Sequence, residues 1–322
     1  MSSETSCALV RARSWMLVSD CSWSEPSAAI CAALPVSAQD AKSYPAPSEI
    51  VAAAKADDWV AIAPSDILVM DLAPDSKGKP RRVIIQLMPA PFSQGWISNI
   101  RKLAAAHWWD GTSINRVQDN YVVQWGDATE KKALPQGLSV VDAKNYVTPD
   151  WPTKGWILAR ADGRPDAYAG THGFYLGWPL AQGREGLWPV HCYGMVGVGR
   201  DLSPNTGSGA ELYVVIGHAP RHLDRNIALV GRVIEGIEHL SSLPRGTGDI
   251  GFYKTAEERT PIKAIRIGTD VPDLPRFEYL STESKSFAAY ADARASRRDA
   301  FYVRPAGGVD ICNVPVPVRR VK

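Results

Sequence analysis

The sequence predicts a mainly β fold: a closed or nearly closed antiparallel barrel capped by helices, with a long irregular insertion and a C-terminal extension. Three observations carry the core of that expectation. Gly 26 and Pro 24 among 322 residues imply many turns rather than a helical bundle. Short apolar runs bounded by turn residues recur over 66–270. Helical spacing surfaces only at a few separate places. Closure suits such a chain, because it removes the edges that many short strands would leave exposed.

Residues 1–38 have the layout of a secretory signal. Arg11 and Arg13 form a basic start, an apolar stretch covers 28–34, and Val36-Ser37-Ala38 has the small-x-small form of a cleavage site. Asp20 and Glu25 interrupt the pattern. The expected location is periplasmic or secreted, and cytoplasmic if the segment is not a working signal. Residues 39–58 are rich in Ala, Pro and Ser and read as a linker, or a short helix over 50–55, with the linker region extending to 65.

A hairpin is expected from 67–73 and 82–88, joined by the turn residues 75–80. Pro89 and Pro91 end it, Ser93 is placed to cap a helix, and Trp96, Ile97, Ile100, Leu103 and Ala104 fall on one helical face. Strands follow at 113–117 and 121–124. The stretch 128–193 reads as an insertion with its own short strands, packed by aromatics. Strand character returns at 194–199, 212–216 and 227–233. Ile234, Ile237, Leu240 and Ser241 then have helical spacing, which Pro244 stops. The last barrel strand is expected over 262–267. The C-terminal extension, 271–322, holds a charged helix near 286–299 and an apolar end at 309–318.

Composition excludes several classes of function. Lys+Arg 36 against Asp+Glu 34 gives +2, too balanced for a surface built on phosphate backbones or anionic lipid, so no nucleic-acid partner is expected. No apolar run reaches about 18 residues, so no helix is expected to insert in a membrane. The nucleophile elbow G-x-S-x-G, the P-loop and H-E-x-x-H are all missing. His218 and His222 are four apart, but Pro220 between them argues against a helix that would align the rings. Without a C-x-x-C pair a cysteine zinc site is not expected either, and no metal or cofactor is assigned. If the signal is removed after Ala38, Cys192 and Cys312 are the cysteines that remain. In an exported protein two such residues suggest one disulfide, with two buried free thiols as the open alternative.

Chemistry concentrates in three blocks. The first is Trp109-Asp110-Gly111-Thr112-Ser113-Ile114-Asn115-Arg116, continuing through Tyr121-Val122-Val123-Gln124-Trp125-Gly126-Asp127. The second is 194–199 with Pro204-Asn205-Thr206-Gly207-Ser208 and Glu211-Leu212-Tyr213. The third is Leu223-Asp224, Gly231-Arg232-Val233 and Glu235-Gly236. In order and spacing these blocks resemble the signature of the cyclophilin-type peptidyl-prolyl cis-trans isomerases, over roughly 66–270.

The resemblance implies the family fold, a closed eight-stranded antiparallel barrel capped by two helices, and isomerisation of X–Pro bonds in proline-containing polypeptide substrates, in aid of folding and without a cofactor. It places Arg116 as the catalytic arginine, with Gln124 as the family glutamine. Substrate contacts fall on Asn115, Tyr121, Val122, Gly199, Arg200, Glu211, Tyr213, His222, Leu223 and Ile227. Of these Leu223 matches the family pattern, and Tyr121 and Tyr213 each carry a hydroxyl where the family has phenylalanine. Asn115 replaces a histidine, Val122 a methionine, Glu211 a glutamine, His222 a frequent tryptophan and Ile227 a second histidine. Gly199 and Arg200 replace a small residue and an asparagine. An apolar cup of Tyr121, Val122, Tyr213 and Leu223 would hold the proline ring. Glu211 is expected to pair with Arg116 or Arg200. Two other readings stand beside this one: a weakly catalytic protein of the same fold that binds proline-containing segments as chaperone or scaffold, and a carbohydrate-binding module suggested by Trp 11. Client proteins and oligomeric state do not follow from the sequence.

Overall fold

The computed structural model describes residues 44–149 and 166–321. The signal reading at 1–38 lies outside the described residues. The chain opens with helix α1 (Pro47–Ala52), then β1 (Trp59–Ile62), β2 (Ile67–Leu72), β3 (Arg81–Leu87) and helix α2 (Gln94–Ala105). Strands β4 (Ser113–Val117) and β5 (Val122–Gly126) come next, followed by β6 (Thr171–Tyr175), β7 (Trp178–Gly183) and β8 (Gly186–Pro189). After β9 (Met195–Val198), β10 (Leu212–Val215) and β11 (Leu229–Glu235) come helix α3 (Glu238–Ser241) and β12 (Thr260–Ile267). The chain closes with β13 (Phe277–Leu280), helix α4 (Lys285–Ala295) and β14 (Val318–Arg320).

Eight strands close into an antiparallel barrel in the order β10-β5-β4-β12-β2-β3-β11-β9. Side chains alternate across each strand. Leu68, Met70 and Leu72 of β2, Val123 and Trp125 of β5, and Leu212 and Val214 of β10 therefore fill the interior. Helix α2 closes one end. Its face of Trp96, Ile97, Ile100, Leu103 and Ala104 is buried, and the Trp96 indole donates to the Thr206 carbonyl at 3.0 Å. Ser93 precedes this helix in a left-handed conformation (φ 55°) and its side chain caps nothing.

Two further layers wrap the barrel. Within 128–193, β6-β7-β8 form an antiparallel sheet whose Phe174, Trp178 and Trp188 are buried. A second sheet pairs β1 with β13 and β13 with β14. The stretch expected as a linker thus contains a strand, and it covers the outer face of the barrel through Ile62, Ile67, Val69, Ile84, Phe277 and Tyr279. The helix expected over 50–55 forms three residues earlier, where Pro47 suits the first turn and the Glu49 carboxylate accepts from the Ala46 amide at 2.7 Å. The second barrel helix is a single turn, because β11 continues to Glu235 and takes Ile234 into the sheet. The helix expected to reach 299 ends at Ala295. Cys192, after β8, and Cys312, before β14, are joined by a disulfide with Cα atoms 5.0 Å apart.

Candidate active site

The site lies on the outer face of β4, β5 and β10. In the β5–β10 register, Gln124 opposes Tyr213 and Val122 opposes Val215. Since every second residue shares a face, Val122 and Gln124 of β5 stand beside Glu211, Tyr213 and Val215 along the β10 segment. Arg116 joins them through an irregularity. The β4–β5 register slips between Ile114 and Arg116, so Asn115 is the extra residue of a β-bulge. A regular strand would send Asn115 and Arg116 to opposite faces. The bulge lets both turn toward the groove, as bulges beside functional sites commonly do.

Arg116 is half-buried and held by neutral acceptors. Its Nε donates to the Ile250 carbonyl at 2.8 Å, Nη1 donates to Gln124 Oε1 at 3.3 Å, and Nη2 donates to Gln118 Oε1. The rings of Phe252 and Tyr121 lie 5.4 and 5.6 Å from the guanidinium carbon. Among the described residues no carboxylate pairs with it, and burial lowers its pKa from the usual value. Ile250, Phe252 and Gln118 escaped the sequence reading. Ile250 and Phe252 sit on a loop held beside β4 by the backbone bonds from Tyr253 N to Asn115 O and from Gly246 N to Val117 O, each 2.9 Å.

Glu211 pairs with neither arginine, contrary to the expected ion pair. Arg200 turns away, its Nε donating to the Asn226 carbonyl at 3.0 Å and Nη1 to the Asp201 carbonyl at 2.7 Å. Glu211 instead accepts from Gln124 and from the Asp127 amide. Asn115 Nδ2 also donates to it at 3.4 Å. Gln124 therefore stands between cation and carboxylate, its oxygen toward Arg116 and its nitrogen toward Glu211. Burial raises the Glu211 pKa to about 7, and Asp127 and Glu130 add to the rise. The room for this carboxylate comes from Gly126: a Cβ there would lie 1.8 Å from Glu211 Oε1. Gly199 is likewise required, since its Cβ would meet Glu211 Cβ at 2.9 Å.

Two compartments result. Asn115, Gln124, Gly199, Arg200, Glu211 and Phe252 are among the residues lining a mostly polar cavity of about 670 Å³. Beside it, Val122, Tyr213 and Val215 form a buried apolar cluster on which Tyr121 and Ile227 pack. The exposed His222 ring stacks on Tyr121 at 6.4 Å and 11°. Leu223 is half-buried on the turn Arg221–Leu223 and is not among the residues of this cluster; Val215, which the sequence reading omitted, takes part instead. A signal for Val215 was present in its β10 spacing, two residues beyond Tyr213. The described tryptophans, from Trp59 to Trp188, are all buried at 9% exposure or less, so they offer no platform for stacking sugars.

The chain matches the family model "Cyclophilin type peptidyl-prolyl cis-trans isomerase/CLD" over residues 82–269. Among solved structures it is similar to the cyclophilin AquaCyp293 from Hirschia baltica, with TM-score 0.62 and 22% identity, covering 81% of this chain and 93% of that one. A cyclophilin-type peptidyl-prolyl cis-trans isomerase of Cryptosporidium parvum, solved in the presence of the dipeptide Ala-Pro, gives TM-score 0.37 and 12% identity over 62% of this chain and 98% of that one. Among curated proteins none matches the chain.

Proposed function

The chain belongs to the cyclophilin-type peptidyl-prolyl cis-trans isomerases and is an isomerase of X–Pro bonds; we propose that Arg116 supplies the catalysis and that the apolar cluster seats the proline ring. The observation that carries this reading is the Arg116 guanidinium, fixed by three neutral acceptors beside that cluster and neutralised by no described carboxylate.

The physics needs little else. Resonance gives the X–Pro amide partial double-bond character and a barrier of about 18–20 kcal/mol. In the twisted state that resonance is lost, and the prolyl nitrogen becomes pyramidal with a free lone pair. A guanidinium has five N–H groups. Three are used in holding Arg116 in place, which leaves N–H groups on Nη1 and Nη2 for substrate. One of them donating to the prolyl nitrogen makes a bond that exists only in the twisted state, so it lowers the barrier rather than merely tightening binding. Half-burial strengthens that bond relative to water. Tyr121, Val122, Tyr213 and Ile227 hold the ring of the substrate proline. Gln124, already tied to Arg116, orients the guanidinium.

The reading includes export and removal of residues 1–38. The disulfide between Cys192 and Cys312 supports it, because such bonds persist in oxidising compartments. N-terminal sequencing of the protein from its native cell is expected to begin near Gln39, and an intact Met1 in a cytoplasmic fraction would sink this part. A protease-coupled assay on a short proline peptide tests the activity. Turnover well above the uncatalysed rate is expected. A protein that binds such peptides and leaves their exchange rate unchanged would instead be a scaffold.

A further inference from the structure

Behind the apolar cluster runs a buried polar chain that isomerisation by Arg116 does not use. Tyr213 Oη lies 2.9 Å from His191 Nε2, and the two rings are inclined by only 9°. The hydroxyl therefore approaches along the in-plane lone pair of the imidazole. On the far side of the ring, Nδ1 is 2.8 Å from Asp224 Oδ1, and the His191 backbone amide donates to the same oxygen at 3.0 Å. Asp224 Oδ2 accepts from Arg221 Nε at 2.6 Å, and Arg221 Nη2 sits 2.9 Å from Asp166 Oδ2. His191 has no exposed surface, and Asp224 and Arg221 have 3% each.

The protons on this chain can be placed. Burial works to raise the Asp224 carboxyl, but His191 and Arg221 outweigh it and hold Asp224 below its usual range. An ionised carboxylate only accepts, so His191 carries its proton on Nδ1. Burial also keeps the imidazole neutral against the pull of Asp224. Nε2 is then an acceptor, and the Tyr213 hydroxyl must donate to it. Turning the phenol away would strand a buried donor and a buried acceptor together. The strand behind makes way for this arrangement: a Cβ at Gly197 would lie 2.3 Å from Tyr213 Cζ and Oη.

We propose that His191, oriented by Asp224, is a positioning residue for isomerisation: it pins the Tyr213 ring that forms the floor of the proline seat. The proposal rests on the reading of that cluster as the seat. A floor that fits the proline ring serves the ground state and the twisted state alike. Loosening it should raise KM more than it lowers kcat.

The test is steady-state kinetics on a proline peptide for the wild type, His191→Leu, Tyr213→Phe and the double variant. His191→Leu strands the Tyr213 hydroxyl, and KM should rise about tenfold with kcat within about threefold. Tyr213→Phe removes only the hydroxyl and should raise KM by about threefold. The double variant removes both polar atoms and should return to the Tyr213→Phe value. If His191 merely braces Asp224 and Arg221, the double variant stays as impaired as His191→Leu, and the proposal is overturned. An unchanged KM in His191→Leu overturns it too. Should His191→Leu fail to fold, two measurements remain: the KM of Tyr213→Phe, and the ring nitrogens of His191 by NMR. The wild type should show a neutral Nδ1–H tautomer whose Nε2 signal moves in Tyr213→Phe; a signal indifferent to the hydroxyl overturns the proposal. An inactive wild type would overturn the isomerase reading and this proposal together, whereas an active enzyme indifferent to His191→Leu overturns the proposal alone.

Discussion

Glu211 sets a pH dependence on the groove. Its carboxyl is raised to about 7 from 4.5, mainly by burial. Between those two values the folded protein keeps a proton that the unfolded chain has released. Stability therefore falls as pH rises through that window, and the whole penalty is present above pH 7. The shift corresponds to about 3 kcal/mol. Glu211→Gln should raise the denaturation midpoint clearly at pH 8 and little at pH 5. It should also raise kcat/KM at pH 8, since an amide both donates and accepts where the carboxylate only accepts. The wild-type kcat/KM should climb from pH 8 to pH 6 and that of the variant should stay flat; parallel profiles would contradict the assignment. Motif spacing singles out Arg116 and Gln124 in the sequence, and the fold brings the two side chains within hydrogen-bond distance. The Asn115 bulge was not legible, as nothing local distinguishes the extra residue of a bulge. The expected Glu211–Arg116 pair failed because register places Gln124 between them. His191 was invisible for a plainer reason: its partners are 22 and 33 residues away.

Strands β2 and β3 read as nearly continuous apolar runs rather than alternating ones. The structure supplies the reason, since one face lines the barrel and the other lies under β1 and β13. The start and buried face of helix α2 were legible because its apolar residues recur with helical period and prolines precede it. Strand β1 was not, because four residues of which only the two ends, Trp59 and Ile62, are buried carry too little periodicity to stand out from a linker. The disulfide bears on the elements that follow β8 and precede β14. It closes a separation of 120 residues, for which chain-entropy reasoning gives up to about 5 kcal/mol. Cys192→Ser should therefore lower the denaturation midpoint substantially under oxidising conditions, and adding reductant should lower the wild type to match. An unchanged midpoint in both would mean that the bond contributes nothing to the folded state.

Arg232 ties the whole molecule together. It projects from β11, with 6% exposure. Its Nε and Nη2 donate to Gln86 Oε1 of β3 at 3.0 and 2.8 Å, and Nη1 donates to the Gly177 carbonyl between β6 and β7 at 2.7 Å. The guanidinium carbon lies 4.6 Å from the Trp178 ring and 5.8 Å from that of Tyr279 in β13. One side chain thus meets the barrel, the inserted sheet and the C-terminal sheet. Burial lowers its pKa to about 10, so it remains a cation at neutral pH. Arg232→Ala would strand two buried acceptors and open a void, with an expected loss of about 3 kcal/mol or more. Arg232→Lys should recover little of it, because a single ammonium cannot reach both Gln86 and Gly177 as the guanidinium fork does. Thermal unfolding of both variants decides this, and a wild-type midpoint in Arg232→Ala would refute the role. Contacts of this range are what sequence reading lacks: the barrel was legible through local strand patterns, but nothing local says that an extension after residue 271 returns to cover it.

Catalysis by a fixed, unneutralised guanidinium is tested by kcat/KM of Arg116→Ala beside the wild type on one proline peptide. The expected result is a fall of at least about a hundredfold, equivalent to about 2.7 kcal/mol of transition-state stabilisation, with the fold intact by circular dichroism. An Arg116→Ala enzyme that turns over peptide at the wild-type rate would contradict the account.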